Sequence, residues 1–284
     1  MVADVSSSVD AMELMRVAER VARQAGALIH DDRPERVAVA RTKSSPQDVV
    51  TAMDYASEEL TRRRLAELRP EDGVLGEERG TTSGSSPVTW VVDPIDGTVN
   101  YLYGQPAYAV SIAAVTCPAG QVPEPANWTV WASCVHAPAL GLTYTAALGH
   151  GAWRDGVALQ VGPGRDELSD ALVGTGFGYR ARRRAAQGAV AAALLPRVRD
   201  IRRIGSAALD LCSVAARTLD AYYERGLQPW DLAGGALVVT EAGGIVVGLR
   251  GKRAGGAMTV AGPAGLVRRL TAVLEELAAD ADDD

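Results

Sequence analysis

Apolar positions between Asp10 and His30 recur at three- and four-residue spacing. Leu14, Val17, Ala18, Val21, Ala25 and Leu28 fall on one face of a helix. Asp10 and Glu13 supply a D-x-x-E cap at its start. The period breaks at Arg33. From there to Val50 short alternating stretches flank Ser44-Ser45-Pro46, a pattern for a β-hairpin or a mobile loop. Thr51, with Asp54 three residues on, caps a second helix that ends near Arg69-Pro70. Strand-like patterning then takes over, with strands expected over 74–75, 88–92, 108–115, 128–135 and 142–147. "GTTSGSSP" reads as a flexible loop, and Asp155-Gly156 as a hairpin turn. In the second half strands (171–175, 201–204, 221–224, 245–247, 258–261) alternate with helices (181–198, 206–219, 230–242, 266–277). This is an α/β chain with mixed sheets. A change of subdomain falls in the Pro/Gly-rich stretch near 157–165. The expected division is an N-terminal α+β part, 1–157, a C-terminal α/β part, 158–278, and a disordered acidic tail, 279–284.

Composition narrows the class. The chain has 284 residues, 47% hydrophobic and 23% charged, enough for one large domain or two that share an interface. With a single Phe, the core must be aliphatic. A net charge of −6 argues against a nucleic-acid-binding surface. Three cysteines without a CxxC pair read as reduced, buried thiols in a cytoplasmic protein. Three scattered histidines argue against zinc. There is no signal-peptide pattern and no apolar run long enough to cross a membrane.

The chemistry concentrates in "TWVVDPIDGTVNY", residues 89–101. A buried-type strand is expected to stop at Asp93. Pro94 fixes its own backbone angle, and Gly97 permits a turn. A short helix starting near Thr98 would offer free N–H groups to an anion such as phosphate. On these residues alone, Asp93 and Asp96 are either a cap and turn or a site. Two further acids tip the balance. Glu77 follows a short strand in "GEE", and Asp231 opens a helix after Pro229-Trp230. Carboxylates gathered at element ends repel one another unless divalent cations sit among them. Oxygen-only ligands suit Mg²⁺ or Mn²⁺.

Together "GEE" (76–78), "WVVDPIDGTVNY" (90–101) and "WDLAGGALVVTEAGG" (230–244) resemble the inositol monophosphatase family, Mg²⁺-dependent, lithium-sensitive phosphatases. "KSSPQDVVTAMD" (43–54) and "RRIGSAALDLC" (202–212) extend the similarity, which runs from about residue 10 to 275. The wording is closest to bacterial, SuhB-type members. The resemblance implies a layered αβαβα sandwich of the inositol monophosphatase and fructose-1,6-bisphosphatase type. It implies two to three Mg²⁺ ions, with Mn²⁺ as a substitute. Glu77, Asp93 and the Ile95 carbonyl would hold one ion; Asp93, Asp96 and Asp231 a second; a third would lie near Glu77. Asp48, Thr98 and Glu77 form the implied catalytic set, Asp48 drawing a proton from water through the Thr98 hydroxyl. The Gly97 and Thr98 amides would hold phosphate. Gly205, Ser206, Ala207, Glu224 and Asp231 would contact the substrate.

The expected activity is hydrolysis of myo-inositol 1-phosphate and related small polyol phosphates, by a homodimer. Alternatives of the same chemistry are 3′-phosphoadenosine 5′-phosphate, histidinol phosphate and fructose 1,6-bisphosphate. An alternative of another class is a partner of RNA or the transcription machinery, supported only by the arginines at 182–184. "GTGFGY" (174–179) lacks the spacing of a nucleotide loop and reads as strand-end packing near the site.

Overall fold

The computed structural model describes residues 9–281. Among these described residues, fifteen strands and seven α-helices form the frame. Helix α1 (Ala11–Asp31) begins where Asp10 Oδ1 accepts from the Met12 and Glu13 amides at 3.0 Å, and it buries Leu14, Ala18, Val21, Ala25 and Ile29. Strands β1 (Val39–Thr42) and β2 (Val49–Thr51) pair as an antiparallel hairpin. Helix α2 (Ala52–Leu68) carries the Thr51/Asp54 capping box expected of it.

The larger sheet holds β3 (Gly73–Gly76), β4 (Gly80–Thr82), β5 (Val88–Asp96), β6 (Ala109–Thr116), β7 (Thr129–Ala137), β8 (Leu142–Ala147), β9 (Gly151–Arg154) and β10 (Val157–Ala158). Its order is β10-β9-β8-β7-β6-β5-β3-β4, and only β3 and β5 run parallel. Helix α3 (Thr98–Tyr103) follows β5 directly. The second sheet comprises β11 (Leu172–Thr175), β12 (Asp200–Arg202), β13 (Ala221–Glu224), β14 (Ile245–Val247) and β15 (Thr259–Gly262), in the order β12-β11-β13-β15-β14. Its helices are α4 (Ala181–Leu194), α5 (Ala207–Ala215), α6 (Pro229–Glu241) and α7 (Ala264–Glu276).

Alternation along the strands builds the layers. On β7, Ala132 and Cys134 pack with α1, while Val135 and Ala137 face the opposite way. There they meet Leu211 and Cys212 of α5 and Leu237 and Val238 of α6, which in turn cover Tyr222 and Ala261 of the second sheet. The far side of that sheet is closed by Leu266, Leu270 and Leu274 of α7 and Leu194 of α4. The result is the expected αβαβα sandwich. Its middle helices are buried between sheets, which accounts for the apolar sequence of α6.

Four details differ from the sequence reading. Strand β5 does not stop at Asp93 but continues to Asp96, with a bulge between the two aspartates. Gly80–Thr82, read as flexible loop, pairs with β3. Helix α4 ends at Leu194, since Pro196 cannot extend its hydrogen bonding. Residues 279–281, assigned to the acidic tail, are packed: Ala279 is buried, Asp280 pairs with Arg250, and the Ala281 carbonyl accepts from Arg225. Residues 282–284 lie outside the described residues.

Candidate active site

Three loops converge on a cavity of about 540 Å³. The parallel register of β3 and β5 pairs Gly76 with Val92, so the next residues, Glu77 and Asp93, emerge side by side. The bulge in β5 then turns Asp93 and Asp96 to the same side. Asp231 arrives from the first turn of α6, where its Oδ2 accepts from the Gln228 amide at 2.8 Å. Asp93, Asp96 and Asp231 each present a carboxylate oxygen within 4.8 Å of the others.

These acids are held for a purpose other than folding. Asp93 and Asp96 are 1% and 8% exposed. Asp93 Oδ1 accepts from the Ile95 amide at 3.0 Å, and Asp96 Oδ2 from Ser206 Oγ at 2.5 Å and the Ala208 amide at 2.7 Å. Burial raises the pKa of Asp93 well above the usual carboxylate value, and Glu77, Asp96 and Asp231 push it further. Burial likewise raises Asp96, against its bonds to Ser206 and Ala208, and raises Asp231, reinforced by Asp96 and Glu77. Crowded, desolvated carboxylates of this kind are stable as anions only beside positive charge. An all-oxygen set fits a hard divalent cation.

Glu77 belongs to the cluster, but its Oε1 takes a bond from Lys43 Nζ at 2.7 Å, and Lys43 also bonds Glu78 Oε1 at 2.5 Å. Burial works against the charge on Lys43, but the two glutamates more than offset it and its pKa is raised. The turn that carries Glu77 is fixed by buried Glu58, which accepts from the Glu78 and Arg79 amides at 2.7 and 3.1 Å.

Thr98 stands at the first position of α3, after Gly97 at φ +94. A side chain there would be strained, and its Cβ would lie 2.9 Å from the Ala107 carbonyl. The Thr98 hydroxyl donates between Ile95 O at 3.0 Å and Asp54 Oδ1 at 3.1 Å. The acid on Thr98 is therefore Asp54, and the expected pairing with Asp48 is corrected. Asp48 lines the cavity, but its Oδ2 is turned onto the Ser44 amide at 3.0 Å and the Ser44 hydroxyl at 2.6 Å, closing the hairpin turn. Asp54 sits in the first turn of α2, caps Thr51 with Oδ2 and leaves Oδ1 for Thr98. Burial raises its pKa to about 7, against the two bonds from Thr51.

The C-terminal ends of the parallel strands β11, β12 and β13 supply the remaining wall. Gly205, Ser206 and Ala207 line the cavity where α5 begins. Asn100 Nδ2 bonds Ile204 O at 3.0 Å and Ala107 O at 2.7 Å, which ties this turn to α3. Glu224 ends β13 beneath Gly176; a Cβ on Gly176 would lie 1.9 Å from Glu224 Oε2. Burial raises Glu224 to about 7, opposed by the bond from Tyr222 Oη at 2.5 Å. The GTGFGY run does line the cavity, through Gly176 to Tyr179. The sequence reading missed Asp54 as a site acid, although it had already placed it as a cap, and missed Lys43, Arg183 and Arg203 as lining residues.

Buried aspartates at the strand ends of an αβαβα sandwich, beside a threonine–aspartate pair, define a phosphatase of the metal-cluster type. The inositol monophosphatase family model matches residues 10–283, and the chain belongs to that family of phosphoric monoester hydrolases. It is 48% identical over 282 residues to the inositol-1-monophosphatase SuhB of Mycobacterium tuberculosis (strain ATCC 25618 / H37Rv), covering 92% of this chain and 93% of that one. The solved structure of Mycobacterium tuberculosis SuhB superposes with a TM-score of 0.77 at 43% identity, over 94% of this chain and 98% of the other. A protein named Nus factor SuhB from Haemophilus influenzae is 37% identical over 235 residues, 82% of this chain and 84% of that one.

Proposed function

We propose that the protein is a Mg²⁺-dependent phosphomonoesterase that hydrolyses myo-inositol 1-phosphate and related small polyol phosphates. The observation that carries this reading is the Asp93–Asp96–Asp231 cluster, buried at Asp93 and Asp96 and half-buried at Asp231, beside the Thr98–Asp54 pair. Asp93, Asp96 and Asp231, with Glu77 and the Ile95 carbonyl, would hold two to three Mg²⁺ ions, or Mn²⁺ in their place. Such a cation, when bound, would make a bound water easier to deprotonate and would neutralise charge on the transferred phosphoryl group.

The chain's own groups do the rest. Thr98 Oγ1 stands between Ile95 O and Asp54 Oδ1, so a proton accepted at Thr98 can pass on to Asp54. With a pKa near 7, Asp54 is matched to such a transfer at neutral pH. The Gly97 and Thr98 amides face the phosphate oxygens. Glu224 and the Gly205–Ala207 turn bond the hydroxyls of the alcohol. The name of the 48% identical relative supports inositol as that alcohol. Cytoplasmic location, a homodimeric assembly, lithium sensitivity and a division near residue 158 complete the proposal. Among the described residues no helix is long and apolar enough to cross a membrane.

The test is phosphate release from myo-inositol 1-phosphate. It should require Mg²⁺, stop in EDTA and be inhibited by Li⁺; turnover undiminished by EDTA would overturn the metal assignment. A second reading, contact with the transcription machinery, is favoured by the name of the Haemophilus influenzae relative and by exposed Arg182 and Arg184. Recovery of neither RNA nor polymerase with tagged protein from native lysate would remove it.

A further inference from the structure

The segment after α7, which its composition marks as a disordered tail, is built into the fold behind the cavity wall. Helix α7 ends in a Schellman turn. The Ala278 amide donates to Glu275 O at 3.1 Å and the Ala279 amide to Leu274 O at 2.9 Å. Ala278 takes the left-handed position of that turn, at φ +49, where glycine is usual. An alanine stays in that conformation only where the contacts beyond it hold it there. Ala279 is 7% exposed and packs in one cluster with Leu274, Tyr223 and Met258. Asp280 pairs with Arg250, whose backbone amide donates to Glu275 Oε1 at 2.6 Å. The Ala281 carbonyl accepts from Arg225 Nη1.

Arg225 carries this contact to the site. It is 6% exposed. On one side it lines the cavity, and on the other the crevice that Ala279 shares with Gly176 and Gln187. A buried guanidinium is stable only where its donors are met, so the chain end and the strand end hold each other. Glu224 closes β13 and Arg225 is the next residue. Anchoring Arg225 therefore fixes the backbone from which the Glu224 side chain projects. Buried Gln187 extends the clamp to the facing wall. Its Nε2 donates to Arg225 O at 3.1 Å, and its Oε1 accepts from the Gly178 amide at 2.9 Å. Gly176, directly over the Glu224 carboxylate, lines the same crevice as Ala279. Both supports of Glu224, its own strand end and the glycine loop above it, rest on the C-terminal segment. Residues 279–281 themselves do not line the cavity.

We propose that residues 279–281 form a strap that positions Glu224 through Arg225, so that a segment touching no substrate sets the affinity for the hydroxyl-bearing part of the substrate. This rests on the reading of the cavity as a phosphomonoesterase site in which Glu224 bonds the alcohol. Arg225 is a positioning residue, and the aspartate end of the site does not depend on the strap.

The experiment compares kinetics, with Mg²⁺ present, on myo-inositol 1-phosphate and on 4-nitrophenyl phosphate, whose leaving group has no alcohol hydroxyls for Glu224 to bind. Ending the chain at Ala278 should raise KM for myo-inositol 1-phosphate about three- to tenfold, the scale of one hydrogen bond. It should leave kcat on that substrate, and both constants for 4-nitrophenyl phosphate, within about twofold of the full chain. Asp280→Asn weakens the latch and keeps the apolar packing, so its shift should be smaller and in the same direction. Arg225→Gln should match the truncation, and the two combined should add little, because both cut one link. Arg225→Lys should keep part of the wild-type affinity, since the charge remains while the fork is lost. An unchanged KM for myo-inositol 1-phosphate in the truncated chain overturns the proposal. So do equal losses on the two substrates, which would make the segment a support of the fold alone. Should the truncated chain fail to fold, Asp280→Asn and the Arg225 variants decide on the same split. Absence of turnover of myo-inositol 1-phosphate by the wild type overturns the phosphomonoesterase reading of the alcohol, and the proposal with it.

Discussion

Asp93 is the residue on which the site turns. It neighbours Glu77 through the β3–β5 register and Asp96 and Asp231 through the carboxylate cluster. Asp93→Asn keeps the shape and the acceptor for the Ile95 amide, but it removes the negative charge and replaces one acceptor oxygen by an NH₂ donor. Loss of several kcal/mol of charge stabilisation should lower kcat by about a thousandfold or more. Near-normal turnover of this variant in the phosphate-release assay would dismiss the metal assignment. The pair Asp48 and Asp54 gives a sharper comparison, because both lie within twelve residues of "KSSPQDVVTAMD". Asp54 accepts from Thr98, and Asp48 only closes a turn on Ser44. Asp54→Asn should cost about 10²–10⁴ in kcat, the range of a lost proton acceptor. Asp48→Asn should cost less than about tenfold, the worth of a surface hydrogen bond. Equal losses, or the reverse order, would restore Asp48 to the role first implied for it. The sequence could not separate the two acids. Spacing places both near the hairpin, and only the docking of α2 against β5 decides which one meets Thr98.

At the scale of elements, most of the fold is legible in the pattern. Helix α1 follows from its apolar face and Asp10, the β9–β10 turn from Asp155-Gly156, and β8 from its alternation. The bulge between Asp93 and Asp96 is not legible, because an irregular register leaves no periodic trace, and yet it sets both aspartates on one side. Nor is the close approach of α6 to the larger sheet. Gly234 allows it: a Cβ there would lie 2.5 Å from Ser111 Oγ and 3.1 Å from Val135 Cγ2. Buried Ser133 Oγ fastens the same contact by donating to Gly234 O at 3.0 Å. Gly234→Ala should push α6 away from β6 and β7 at a cost of about 1–3 kcal/mol, the usual penalty for overpacking. That would lower Tm by several degrees. Because Asp231 rides on the first turn of α6, the Mg²⁺ concentration for half-maximal activity should rise with it. A variant that melts and titrates like the wild type would show that the helix–sheet contact has slack.

For the whole molecule, the acid cluster couples folding to pH and to cations. Glu77, Asp93, Asp96 and Asp231 all have raised pKa values in the folded state, burial being the largest cause for each. The sign follows from linkage. The folded state holds protons that the unfolded chain has lost above pH 4–5, so this contribution to stability is present at low pH. It is lost as pH rises through the folded-state values. Metal-free protein should therefore lose Tm between pH 5.5 and 8. Mg²⁺ binds the ionised cluster and competes with those protons, so its stabilisation should be larger at pH 8 than at pH 5.5. At a hundredfold excess over Kd it is worth about 2.7 kcal/mol. Melting curves at both pH values, in EDTA and in saturating Mg²⁺, measure the difference directly. Asp93→Asn supplies the control: with one crowded carboxylate neutral, the EDTA curve should depend less on pH and the Mg²⁺ shift should shrink. A Mg²⁺ shift of the same size at both pH values, or one preserved in Asp93→Asn, would mean that the cation binds elsewhere. The aspartates would then be an electrostatic burden that the fold carries without compensation, which their burial at the strand ends makes physically untenable as a resting state above neutral pH.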